Sequence, residues 1–506
     1  MIKFLRLELL IFLLIVISAC TSRESLSTPT NDPGLVSTAA PDTLPSPTVT
    51  QEPSTQISST LDSEESTAEP TQQQIQYQIS AELDYTNHKV FVEEHILLPH
   101  PAHQELMEIL LVVPPNAWLN IFSIQDISWK GKIPIEGYSL DGVRLTIPLE
   151  QPWLPGEPRE LTIQYQLALP IQNAREGYGP SPFGYTALQL NLVDWYPMVP
   201  PYLVGEGWIV HDPWIFGEYL VYPAADFQVS LEIVNGPDLV VAASSAILSE
   251  GDPRSYTLED GRNFVFSISP DYQVLEHEVD GTKVYGYIFP AYQIPGKAAF
   301  DTTVEALALY SDLYGPYNQS SLSMVQADFN HGMEYEGLYF QSRGFFDTYG
   351  GSEQSYLVTI AAHETAHQWW YGQITNDQAL EPWLDEAFCT FSELIYYEKL
   401  YPESVDWWWA TRVNYYQPSG VINRSIYDFR EFSDQYLAYR NATYLQGAKF
   451  LNDLRNAMGE ESYLKFLREY AGTYKDQIVS GEDFFALLSS YLDLDSLPWL
   501  TEYFRE

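Results

Sequence analysis

His363, Glu364 and His367 fall within the run HETAHQWWYG, and their types and spacing suit them to hold a metal ion and activate water on it. A helix turns once every 3.6 residues, so side chains four apart leave one face and two imidazole nitrogens can meet one ion. Glu364 stands beside that face, where it can reach a metal-held water and serve as a general base. Downstream, in EPWLDEAFCTFSE, Glu386 offers a carboxylate from a second stretch of helical character. Two histidines and one glutamate make the three-ligand set of a catalytic zinc, which leaves a fourth position to water. A closed thiolate site is excluded, because Cys20 and Cys389 are the only 2 cysteines. Glu393 lies two turns beyond Glu386 on the same face. There it could accept a hydrogen bond from a ligand imidazole or remain a surface carboxylate.

Such residues need rigid elements to aim them. After Pro295-Gly296, the residues Phe300, Val304, Leu307 and Ala308 recur at helical spacing up to Tyr314-Gly315-Pro316, so a new domain is expected to begin at residue 290. A short strand over 322–327 leads into GMEYEG, and the two motif helices follow. Ala448, Leu451, Leu454 and Met458 line a later helix that ends at Gly459, and Ser480 with Asp483 forms a capping box before FFALL. Ahead of all this, residues 75–289 follow period two. Tyr77, Ile79, Ala81 and Leu83 alternate with polar neighbours, as do Phe227, Val229, Leu231 and Ile233, with Pro and Gly between the runs. That pattern predicts an antiparallel β-sandwich-like domain. The expected class is α+β multidomain, with the β domain at 75–289 and a mostly helical domain at 290–506.

The chain opens with Lys3 and Arg6, an apolar run over 9–17 and then Ser18-Ala19-Cys20. This predicts an export signal at 1–20, too short to span a membrane, with Cys20 as a lipidated first residue or an incidental cysteine in a plain secretory signal. Residues 21–74 hold no aromatic side chain and are rich in Ser, Thr, Pro and Gln, the composition of a disordered tether. Together they predict an exported protein, held outward on a bacterial cell membrane by its lipid anchor or else secreted. With 68 acidic against 25 basic residues, the formal charge of −43 argues against nucleic acid as a partner. Cys389 sits in an apolar helical context and reads as a small buried packing residue.

Taken together, HETAHQWWYG, WLDEAF and GMEYEG resemble the aminopeptidase N-like gluzincin zinc metallopeptidases. The resemblance implies a thermolysin-like zinc catalytic domain behind an N-terminal β domain, with one zinc ion held by His363, His367 and Glu386. It also implies that Glu364 is the catalytic base and that Glu334 receives the free α-amino group of a peptide substrate. Tyr444, in TYLQGAKFL, is similar to the family's oxyanion-stabilising tyrosine, a phenol that donates to the charge developing on an attacked carbonyl. The pattern departs at Tyr335, where the family often carries asparagine. The end of the chain soon after Tyr444 leaves no large C-terminal helical domain, so an open cleft is expected. The expected activity is zinc-dependent removal of N-terminal residues from peptides outside the cytoplasm. The alternatives are a zinc endopeptidase, ester or epoxide hydrolysis on the same metal site, and a catalytically silent lipid-anchored binding protein.

Overall fold

Strict alternation builds the first half: Tyr77, Ile79, Ala81 and Leu83 are buried, while Gln76, Gln78, Ser80 and Glu82 are exposed. A strand with one greasy and one wet face has to lie on a core, and this one joins an eight-stranded sheet. The computed structural model describes residues 74–172, 182–330 and 332–505, so the expected leader and nearly all of the tether lie outside the described residues. In chain order the strands of the large sheet are β1 (Ile75–Asp84), β2 (Lys89–Leu98), β3 (Phe122–Trp129), β4 (Ile133–Pro134), β5 (Arg159–Ala168), β6 (Ala225–Val234), β7 (Ile247–Ser249) and β8 (Arg254–Gly261). They are ordered β7-β8-β6-β1-β2-β5-β3-β4. Neighbours are antiparallel except β1 and β6, which run parallel with Ile79 opposite Val229. Alternation fixes which face a strand buries but not which strand it pairs with, and the long connection over 85–224 permits the crossover that parallel pairing requires. Shorter sheets contribute Ile109, Ile147 and Ile268 to the same core.

A second sheet takes strands from both sides of residue 289. It comprises β9 (Gln273–Val279), β10 (Thr282–Ile288), β11 (Ser321–Gln326), β12 (Met333–Tyr335) and β13 (Leu338–Gln341), ordered β9-β10-β11-β13-β12. The short strand β12 is therefore an edge. Around this sheet lie α1 (Gln293–Tyr314), α2 (Tyr356–Ala366), α3 (Trp383–Leu400) and α4 (Gly447–Met458), which share a core holding Val284, Met324, Ala362, Trp369, Trp383 and Leu451. In α1 the buried face runs through Phe300, Thr303, Leu307, Tyr310 and Tyr314, while Ala308 is exposed. A single alanine adds too little apolar area to pull a helix round, so the larger side chains set its rotation. The start of α2 is capped by Ser355, whose hydroxyl accepts from the Val358 amide. No helix among the described residues is long and apolar enough to cross a membrane.

Candidate metal centre and its cleft

Helix α2 presents His363 and Glu364, and His367 follows at its C-terminal end; α3 packs beside it with Glu386 in its first turn. His363 Nε2 lies 3.2 Å from His367 Nε2 and 3.1 Å from Glu386 Oε2, and His367 Nε2 lies 3.7 Å from the same oxygen. Two atoms each bonded to a tetrahedral zinc at about 2.0–2.1 Å sit about 3.3 Å apart, so the three donors already have the spacing one ion requires. All three side chains are buried. Their outer atoms are tied off as well. His363 Nδ1–H donates to Glu393 Oε1 at 2.8 Å, and His367 Nδ1–H donates to the Trp370 carbonyl at 3.2 Å, which leaves both Nε2 lone pairs facing the centre.

Glu393 is itself fixed from outside. The Arg412 guanidinium grips it with two bonds, 2.9 Å and 2.8 Å, and the Trp408 indole N–H donates to it at 3.0 Å. Burial alone would raise the Glu393 carboxyl, but Arg412 holds it below the usual carboxylate range. Burial would likewise raise Glu386, yet the two imidazoles keep it low. Burial would lower His363, but Glu386 and Glu393 pull it up to about 10, whereas burial pushes His367 down to about 3. Positive charge is thus wanted at the point where His363 Nε2 meets Glu386. A proton there and a divalent cation compete for the same place.

The rest of the cleft, about 670 Å³, opens beside this centre. Glu364 lines it with Oε2 buried and without a hydrogen-bond partner, and burial raises its carboxyl to about 8. Tyr444 sits in a π-helical turn, Asn441–Gln446, just before α4, and its hydroxyl donates to Glu386 Oε1. Wide turns of this kind re-aim a side chain and recur at functional sites. Glu334 projects from edge strand β12 and accepts from Gln378 Nε2 at 3.3 Å. Its loop is pinned from both sides. Gln368, next to His367, accepts from the Gly337 amide at 2.9 Å and donates to the Tyr335 carbonyl at 3.1 Å. Gly337 has φ of +71°, and a Cβ there would come within 1.8 Å of the Ser244 carbonyl oxygen.

The cluster also contains residues that no sequence signal marked. Glu218, from the segment between β5 and β6, brings a carboxylate oxygen within 4.8 Å of ligand atoms of Glu334 and Glu386, and burial raises its carboxyl to about 8. Arg412 and Trp408 are equally remote from any motif. Hydrophobic periodicity cannot find them, because they arrive from separate segments and owe their place to tertiary packing.

Residues 298–502 match the peptidase family M1 domain. Among characterised relatives, Aminopeptidase M1-B of Oryza sativa subsp. japonica is 29% identical over 225 residues, covering 42% of this chain and 25% of that protein. Aminopeptidase N of Lactobacillus helveticus is 26% identical over 238 residues, covering 43% of this chain and 28% of that protein. The chain thus spans about a quarter of the length of these relatives. An M1 zinc metallopeptidase from Deinococcus radiodurans superposes with a TM-score of 0.58 at 16% identity over 84% of this chain and 93% of its own. A mutant of it bound to a Tyr-Ser-Ala substrate gives 0.60 at 16% identity, over 86% and 95%. The likeness to these structures establishes a shared two-domain fold.

Proposed function

We propose, on the premise that residues 298–502 form an M1 peptidase domain of the aminopeptidase N-like kind, that this chain is a zinc-dependent aminopeptidase acting on peptides. His363, His367 and Glu386 would hold the ion. Bound there, zinc supplies a Lewis acid that acidifies a held water and polarises a peptide carbonyl. Glu364, with one oxygen free of partners, accepts the water's proton and returns it to the leaving amine. Tyr444 turns its O–H from Glu386 toward the oxyanion that develops on the attacked carbonyl. Burial of Glu364 keeps bulk water from competing for its proton.

Exopeptidase action follows from Glu334 and Glu218. A buried and a half-buried carboxylate that converge beside a metal centre are costly unless a cation joins them, and a peptide's terminal ammonium has three N–H donors and a full positive charge to offer. Seated there, it would place the first peptide bond over the metal. The observation that carries the reading is this adjacency of the acidic pair to the His363–His367–Glu386 cluster. The test compares an amino-acid arylamide with its N-blocked form, with and without a chelator. Hydrolysis of the free-amine substrate alone, lost on chelation and restored by zinc, is expected. Cleavage inside N-blocked peptides would instead mark an endopeptidase, and zinc binding without turnover a binding protein.

The leader of residues 1–20 supports export with a lipid on Cys20, so the substrates would be peptides outside the cytoplasm. Mass analysis of the mature N-terminus tests this directly: an acylated Cys20 is expected, and an intact leader contradicts it.

A further inference from the structure

Among the described residues, the cleft is lined by one arginine that no carboxylate pairs. Arg440 lines it one helical turn ahead of Tyr444 and has no carboxylate within ion-pair distance among the described residues, in a protein of net charge −43. The neighbouring Arg412 is spent on Glu393 through two bonds. Arg440, by contrast, is held without being neutralised. Its guanidinium lies 3.8 Å over the Tyr416 ring, and Nη2 donates to Asn441 Oδ1 at 2.9 Å, while Nε is buried with no partner. Stacking fixes the plane of the fork and leaves a donor edge for a planar anion.

Its position assigns the anion. Glu334 and Glu218 mark the end of the cleft that favours an ammonium, and residues four apart on a helix are neighbours, so Arg440 lies one turn from the phenol beside the metal ligands. The acids that line the cleft near the metal, Glu218, Glu334, Glu364 and Glu386, offer an incoming carboxylate no cation, and Arg412 is already held by Glu393, which leaves the Arg440 guanidinium to receive it. We propose that Arg440 receives the C-terminal carboxylate of short peptides, so that this site prefers free di- and tripeptides to longer or C-terminally blocked chains. The proposal rests on the aminopeptidase reading and names the substrate class of that same cleft.

The test measures kcat/KM for a dipeptide and a tripeptide, each with a free and an amidated C-terminus, on the zinc-loaded wild type, Arg440→Gln and Arg440→Lys. A charge-assisted bond to a carboxylate predicts that the wild type favours the free acid over its amide about tenfold or more. Arg440→Gln should bring that ratio near one, mainly through KM, and Arg440→Lys should restore part of it. Because the readout is a ratio within one protein, a general loss of activity in a variant does not move it. A wild-type ratio near one, or a ratio unchanged in Arg440→Gln, overturns the proposal while leaving aminopeptidase action intact. If the wild type cleaves neither form from its amino end, the aminopeptidase reading falls and takes this one with it.

Discussion

At the scale of single residues, Glu364 and Glu393 differ in how many donors hold them. Glu364 keeps an oxygen without a partner in the cleft, whereas both oxygens of Glu393 are occupied by His363, Arg412 and Trp408. Glu364→Gln therefore should retain zinc, measured as metal per chain, while losing about 10²–10⁴-fold in kcat, the range for removing a general base. Full activity in the zinc-loaded variant would remove Glu364 from the chemistry. Glu393→Gln should do the reverse. The neutral amide holds His363 Nδ1–H less firmly and leaves Arg412 without its anion, so zinc affinity should fall about 10–100-fold in a competitive chelator titration. These carboxylates are legible in the chain because helical spacing ties each to a histidine-bearing or glutamate-bearing face. Glu218 and Arg440 were invisible to the same logic, since no periodicity links them to the metal motif and only the folded chain brings them to it.

At the scale of elements, the approach of two helices sets where Tyr444 stands. Gly447 begins α4 against α3, and a Cβ added there would come within 2.4 Å of the Ala387 Cβ, the residue next to Glu386. The glycine step three residues after Tyr444 is thus what lets its phenol reach Glu386. Gly447→Ala should force the helices apart at a cost of about 1–3 kcal/mol, seen as a lower Tm, with a larger fall in kcat than in zinc affinity. Adding Ala387→Gly should recover both. Lack of recovery would show that the contact does not position Tyr444. The helices themselves were legible from apolar spacing, but Ala308 shows the limit of such reading: it falls on the expected stripe and is nonetheless exposed, because Tyr310, Tyr314 and Phe300 fix the rotation of α1. The parallel β1–β6 pair marks a second limit, since alternation carries no label for a partner strand.

At the scale of the whole molecule, stability should depend on a carboxyl far from the metal centre. Among the described residues, Glu94 on β2 is fully buried between Ile79 and Ile163, and neither of its oxygens has a partner. Burial holds its carboxyl well above the usual range. The folded protein therefore binds this proton more tightly than the unfolded chain, so the native state loses stability as pH rises from the unfolded pKa, about 4.3, through the raised folded value. Glu94→Leu should stabilise the protein by about 1–3 kcal/mol at pH 8 and by less at pH 4, read from Tm at the two pH values. A gain that is equal or larger at pH 4 would contradict this sign.

His363, His367 and Glu386 must share one ion, and the alternative is a seat in one of two overlapping clusters, Glu334–Glu364–His367 or Glu218–Glu334–Glu386. Crystals grown with zinc and measured on both sides of its absorption edge distinguish these seats. A single anomalous peak within about 2.0–2.2 Å of His363 Nε2, His367 Nε2 and a Glu386 oxygen is predicted. A peak among the acids, or none at the histidines, would contradict it.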